Sequence, residues 1–222
     1  MDEITYSPGT SIDVHYLAPR LSPLDRTEDT KLAYPAPACQ SRYYSFCKRI
    51  CDIIISLLLL FFTLPLFLII AAVIKLASPG PVLFKQKRVG LGGESFTMYK
   101  FRSMITNAEQ LRVELEVFNM MNGPVFKVKN DPRVIKCGRF LRKTSLDELP
   151  QLWNVLKGQM SLVGPRPAIP SEVVRYNHCQ LERLRILPGL TCLWQINGRS
   201  KIMDFDRWSR FCLLYTSPSP RD

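Results

Sequence analysis

The longest uninterrupted pattern along the chain is apolar. Ile53–Ile74 runs for 22 residues without a charge and is mostly Leu, Ile and Phe. At ~1.5 Å per residue, a straight helix of that length could cross a bilayer. A buried soluble helix does not need apolar residues on every face, so the pattern predicts membrane contact. Two features weigh against a plain crossing. Pro65 lies mid-segment and removes an intrahelical hydrogen bond, which predicts a kink. Basic residues flank both ends: Arg42, Lys48 and Arg49 before, Lys75, Lys85, Lys87 and Arg88 after. The positive-inside rule then places both ends in the cytoplasm. A re-entrant helix that enters and leaves through one leaflet satisfies both observations; a single span is the alternative. Thr63 is the expected partner for a carbonyl freed at the kink. Asp52 is expected to pair with Lys48 or Arg49 at the interface.

Beyond the apolar run the pattern changes period. Ser78-Pro79-Gly80-Pro81 ends the helix. Val82–Val89 and Ser95–Phe101 flank Gly90-Leu91-Gly92-Gly93, which predicts a β-hairpin. No Gly-Lys-Ser/Thr follows the glycines and no helix opens there, so a phosphate loop is not expected. Asn107–Met121 predicts a helix with Leu111, Leu115 and Phe118 on one face, stopped by Asn122-Gly123-Pro124. Ser171–Leu187 reads as helical until Pro188-Gly189. Residues 1–41 contain five prolines and no periodicity, and are expected to form a disordered tail.

Charge sharpens this picture. Of 222 residues, 46% are apolar, enough for a core, and the formal charge is +11. Residues 1–41 carry −3, so the remainder carries +14. Such a balance implies acidic partners: nucleic acid, anionic lipid or a phosphorylated substrate. Seven cysteines without a C-x-x-C pair, and two histidines, argue against a structural zinc site and a disulfide framework, as suits a reducing compartment.

The richest stretch is Thr144–Gly158. Leu149, Leu152, Trp153 and Leu156 form an apolar face, and Gly158 is a stop signal. Ser145-x-x-Glu148 reads as a capping box, although Pro150 then falls at the fifth helical position. With Asp147 as cap, Pro150 falls at the third, where no donor is needed. Either start leaves Asp147 and Glu148 in the first turn. A helix N-terminus stabilises a carboxylate and attracts phosphate. Arg139, Arg142 and Lys143 precede the pair, and Pro165-Arg166-Pro167 follows. Adjacent acids beside several arginines suit a hard cation with a polyphosphate. A carboxylate close to phosphorus can act as a nucleophile.

These residues carry a family resemblance. Lys48-Arg49-x-x-Asp52, the apolar run with Pro65, the stretch from Gly80 to Gly90 and Lys100-Phe101-Arg102-Ser103-Met104 come first. Thr144–Leu152, Asn154–Ser161, Val163–Pro167 and Pro188–Thr191 follow. Over Arg42–Trp208 the chain resembles the bacterial sugar transferases, monotopic polyprenyl-phosphate phosphoglycosyl transferases. The resemblance implies transfer of a hexose-1-phosphate from a UDP-sugar to undecaprenyl phosphate at the cytoplasmic face of the bacterial inner membrane. It implies Mg2+ as cofactor, a re-entrant membrane helix and the first membrane step of exopolysaccharide or glycan assembly. Asp147 and Glu148 match the family's catalytic dyad and metal site. Asp147 would attack the sugar-bearing phosphorus, release UMP and hold a phosphosugar for the lipid phosphate. Arg142 and Arg166 would bind phosphate, with Lys100 and Arg102 as further candidates.

The expected fold is therefore α+β and helix-rich. A disordered tail (1–41) precedes a re-entrant helix kinked at Pro65 (42–78). A cytoplasmic catalytic domain with a β-hairpin (79–208) follows. The chain departs from the family at Leu64, where a serine is common. After Trp208 the family's amphipathic segment is missing, so residues 209–222 are expected to be a non-native or disordered tail. Two rival readings remain. A catalytically impaired membrane scaffold would follow from that truncation. A nucleic-acid binder would use Phe96, Tyr99 and Phe101 interleaved with Lys100 and Arg102, but leaves the acid pair unexplained; nucleic acid is not an expected partner. Cys47 and Cys51 are read as small apolar filling, and His178 as a helix-end surface residue. The sugar and the oligomeric state are not legible.

Overall fold

The computed structural model describes residues 42–120, 125–126, 128–192 and 205. The expected tails 1–41 and 209–222 lie outside them, as does the predicted stop at 122–124. The apolar run forms one helix, α1 (Arg42–Ala77), of 36 residues. At ~1.5 Å per residue it is about 54 Å long. It is continuous through Pro65. Thr63 Oγ1 donates to the Leu59 carbonyl at 2.6 Å, one turn back. The expected use of this hydroxyl on a carbonyl freed by Pro65 is thus not made: Pro65 frees the carbonyl of Phe61, four residues before it.

Along α1 the middle is bare and both ends are held. Phe61, Phe62 and Leu64 are exposed, as are Leu68 and Ile69. Near the N-terminal end, Asp52 and Ser56 are buried. Lys48 pairs with Asp52 at 3.4 Å, as expected. Asp52 also accepts the Leu162 N–H at 3.1 Å, and Lys48 meets the Ser161 hydroxyl. Arg49 donates to the carbonyls of Val155 (2.6 Å) and Leu156 (2.7 Å). Toward the other end, Ile70 and Ile74 pack with Phe101 and Leu141, flanked by Leu146 and Leu149. Arg102 then ties down the helix exit, donating at 2.6 Å to the carbonyls of Ser78 and Pro79. Cys51 is exposed on α1, which corrects the expectation that it fills apolar space.

The hairpin forms as the glycine turn predicts. β1 (Leu83–Val89) pairs antiparallel with β2 (Ser95–Phe101), from Leu83↔Phe101 to Val89↔Ser95. Phe96 and Met98, alternate residues of β2, pack on Val155 and Met160. Two helical expectations are corrected. Within Asn107–Met121 the described residues form only turns and two short 3₁₀ segments, Gln110–Arg112 and Glu116–Phe118. Val113, Val117 and Phe118 remain exposed, so no packed face rewards a continuous helix. Ser171–Leu187 is also broken. After α2 (Lys136–Thr144) and α3 (Leu152–Leu156) come α4 (Pro170–Val173), α5 (His178–Leu181) and a 3₁₀ segment, Glu182–Arg185. Asn177 restarts the chain: its side chain accepts the Gln180 N–H at 2.9 Å while Gln180 accepts the Asn177 N–H. His178 is the exposed first residue of α5, as read from sequence.

A second, two-stranded sheet was not legible in the pattern. β3 (Ser161–Val163) pairs parallel with β4 (Gly189–Thr191). The pairing depends on two missing side chains. A Cβ at Gly164 would collide with the Leu187 carbonyl, and one at Gly189 with the backbone of Gly164. The remaining core gathers Val89, Ala168, Val173, Tyr176, Leu184 and Phe205.

Candidate active site

The acid pair sits on a sharply turned connection rather than at the start of a regular helix. α2 ends at Ser145, whose φ of 60° and ψ of 15° are left-handed, an uncommon state for a residue with a Cβ. A 3₁₀ segment, Leu146–Gln151, follows and carries Asp147, Glu148 and Pro150. The Ser145 side chain makes no capping bond, so the capping-box reading is corrected. The Glu148 carboxylate is drawn away to cations. Leu146 and Leu149, on either side of the acids, pack against the cluster of Ile70, Ile74, Phe101 and Leu141.

Asn154 aligns this turn with the hairpin. Its amide accepts the Tyr99 N–H at 3.2 Å and donates to the Thr97 carbonyl at 2.7 Å, occupying the free edge of β2. It is fully buried and also donates to Gln159 Oε1. Lys100 therefore meets Glu148, Nζ to Oε1 at 2.9 Å. Arg166 reaches the same oxygen at 3.4 Å. A small hollow beside them is lined by Arg88, Gln151, Pro167 and Leu190 as well. The Gln151 amide is buried and its Nε2 has no partner.

Asp147 is buried, and its Oδ1 has no hydrogen-bond partner. Burial raises its pKa above the usual carboxylate range, and Glu148 adds to this; Lys100, Arg142 and Arg166 pull the other way and lose. Lys100 is pulled down to about 8, first by burial, then by Arg166, against Glu148 and Asp147. Arg142 is exposed as a residue, yet crowding lowers its pKa against the pull of Asp147.

Three of the sequence candidates thus converge on the acid pair: Lys100, Arg142 and Arg166. Arg102 does not. It is buried and spent on the exit of α1. The aromatic platform is corrected as well, because Phe96 and Phe101 are buried in the core. Arg88, Gln151 and Arg183 were missed as individuals. Their types and spacing carry no signal, and only their burial marks them.

Among the described residues, no group of three or more His, Cys, Asp or Glu is placed to hold a metal ion. The donors present still fit Mg2+, which commonly takes one or two carboxylates and completes its shell with water and substrate phosphates. The unpartnered Asp147 Oδ1 is such a donor, whereas Glu148 Oε1 is shared by two cations.

Fold and site together define a small α+β domain, carried on a helix long and apolar enough to cross a membrane, with a buried pair of acids beside a cluster of cations. The chain belongs to the bacterial sugar transferase family, whose pattern matches residues 43–218. It is 53% identical over 136 residues to "Galactosyl transferase CpsE" of Streptococcus agalactiae, covering 61% of this chain and 30% of that protein. It is 43% identical over 176 residues to "Undecaprenyl-phosphate galactose phosphotransferase" of Salmonella typhimurium, covering 73% and 36%. With "Exopolysaccharide production protein ExoY" of Rhizobium meliloti it shares 41% over 162 residues, 70% of each. The chain thus corresponds to about a third of the first two relatives.

Proposed function

We propose that this chain transfers a hexose-1-phosphate from a UDP-sugar to undecaprenyl phosphate through a covalent aspartyl intermediate. One observation carries the reading: a buried carboxylate oxygen on Asp147 that no group among the described residues satisfies, faced by the charges of Lys100, Arg142 and Arg166. Such an atom is costly to keep unless a ligand uses it.

In the first step an Asp147 oxygen bonds to the sugar-bearing phosphorus and the bridge to UMP breaks. UMP leaves with the bridging oxygen. An oxygen of undecaprenyl phosphate then bonds to the same phosphorus, the aspartyl–phosphorus bond breaks, and Asp147 returns to a carboxylate. The product is an undecaprenyl-diphosphate-sugar. Lys100, Arg142 and Arg166 neutralise the diphosphate and the charge of the transition state. Glu148 holds Lys100 and Arg166 in place. Mg2+, held by Asp147 and Glu148, would supply further neutralisation of the diphosphate.

The membrane reading is a re-entrant α1 with the domain on the cytoplasmic face of the inner membrane. Its support is that one small domain grips α1 near both ends, through Asp52 and Ser56 and through Ile70 and Ile74, and leaves the apolar middle uncovered. Labelling of Tyr44→Cys and Lys85→Cys in intact cells, native thiols removed, should give cytoplasmic access at both; opposite sides would mean a span.

The chemical test mixes the chain with UDP-galactose and Mg2+, without lipid. UDP-galactose is the first donor to try because two relatives are named for galactose transfer. Mass spectrometry should find a hexose-phosphate on the Asp147 peptide, absent in Asp147→Asn. UMP that appears only when the lipid is present, with no adduct to trap, would overturn the covalent route.

A further inference from the structure

Four consecutive carbonyls of the Pro-Arg-Pro loop are taken up by the protein. Pro165 O accepts from Gly189 N at 2.8 Å and Ala168 O from Val89 N at 2.9 Å. The two between them are held by buried arginines. Arg183 Nη2 donates to Arg166 O at 2.7 Å, and Arg88 Nη1 to Pro167 O at 2.9 Å. The loop has no helix or strand of its own, and its two prolines offer no N–H. Its geometry is therefore set through its carbonyls, from three separate elements.

The choice of donor is informative. Burying a guanidinium costs several kcal/mol of hydration in general, and a neutral donor could hold a carbonyl more cheaply. Arg183 is 2% exposed and Arg88 7%. Arg183 lies over the rings of Tyr176 and Phe205, at 5.8 and 5.9 Å. Arg88 is further oriented by donating to Gln86 Oε1 at 2.6 Å. Charge-assisted bonds from rigid planar groups hold a carbonyl more firmly than neutral ones. The residue so framed, Arg166, extends a half-exposed side chain to Glu148.

We propose that Arg88 and Arg183 are positioning residues that fix the Arg166 guanidinium at its phosphate-binding position by clamping the carbonyls of Arg166 and Pro167. The proposal deepens the function proposed above and rests on Arg166 binding the diphosphate.

The test is a double-mutant cycle on the full chain in detergent, with UDP-galactose, undecaprenyl phosphate and Mg2+, reading UMP release. Arg183→Gln should lower kcat/KM about tenfold, mainly through KM, and Arg183→Lys should recover part of it. In the Arg166→Ala background the same Arg183→Gln change should cost less than twofold, because the group it positions is gone. The Arg88→Gln cycle should behave likewise, and it carries the test if Arg183→Gln does not fold. Penalties that multiply in both backgrounds would overturn the clamp while leaving Arg166 as a phosphate ligand. An Arg166→Ala chain with unchanged kcat/KM would instead reject Arg166 as a ligand, and the clamp with it.

Discussion

The acid-bearing turn and the Pro-Arg-Pro loop meet at Glu148 and Arg166, yet they are built on opposite principles. The turn begins with a left-handed Ser145 and buries a carboxylate oxygen that nothing satisfies. The loop has every carbonyl from Pro165 to Ala168 bonded. The turn leaves an interaction unmade, and the loop leaves no carbonyl loose. Local strain concentrated beside a rigid frame is how an active site holds a reactive group ready.

The comparison breaks most visibly at Asp147. Asp147→Asn should lower UMP release by at least about 10³-fold, by removing the nucleophile. It should also stabilise the protein. The folded-state pKa is raised, so ionisation opposes folding. That penalty is absent below the unfolded carboxylate pKa and complete above the folded one. With chelator present, the variant should be more stable than the parent at pH 7, because it carries no buried charge. The gain should shrink as pH falls through the carboxylate range. Thermal unfolding across pH checks this; a variant less stable than the parent at pH 7 would mean the carboxylate is satisfied after all.

The rigid side breaks at Gly164. Gly164→Ala pushes a methyl into the Leu187 carbonyl, separates β3 from β4 and should cost about 1–3 kcal/mol in denaturant unfolding. Activity should fall with it, as the loop loses its base. The smallest effect tests the strained side. Ser145→Gly removes the Cβ from a left-handed position and should be neutral or stabilising by up to about 1 kcal/mol. A loss larger than that would show that the serine side chain earns its place.

Much of this contrast was visible in the sequence, and the rest was hidden for one physical reason. The hairpin was legible because a glycine turn between alternating strands is a local signal. Asp147, Glu148, Arg142 and Arg166 were legible as types in a charged neighbourhood. What periodicity could not show was whether a face finds a partner. Leu149 and Leu152 do, whereas Val117 and Phe118 do not, and only the first stretch is well packed. Lys100 and Arg102 look equivalent, two residues apart, until one faces Glu148 and the other the exit of α1. The parallel pair of β3 and β4 joins segments 28 residues apart through two glycines, and no local pattern announces it.

The packing of Leu146 and Leu149 against the cluster that holds Ile70 and Ile74 has a mechanical consequence. One apolar cluster thus links the acid-bearing turn to the long apolar helix, while Arg102 fastens the end of that helix two residues past Lys100. In the proposed membrane setting, a tilt that the bilayer imposes on that helix would reach both the acids and Lys100, and with them the gap between Lys100 and Glu148.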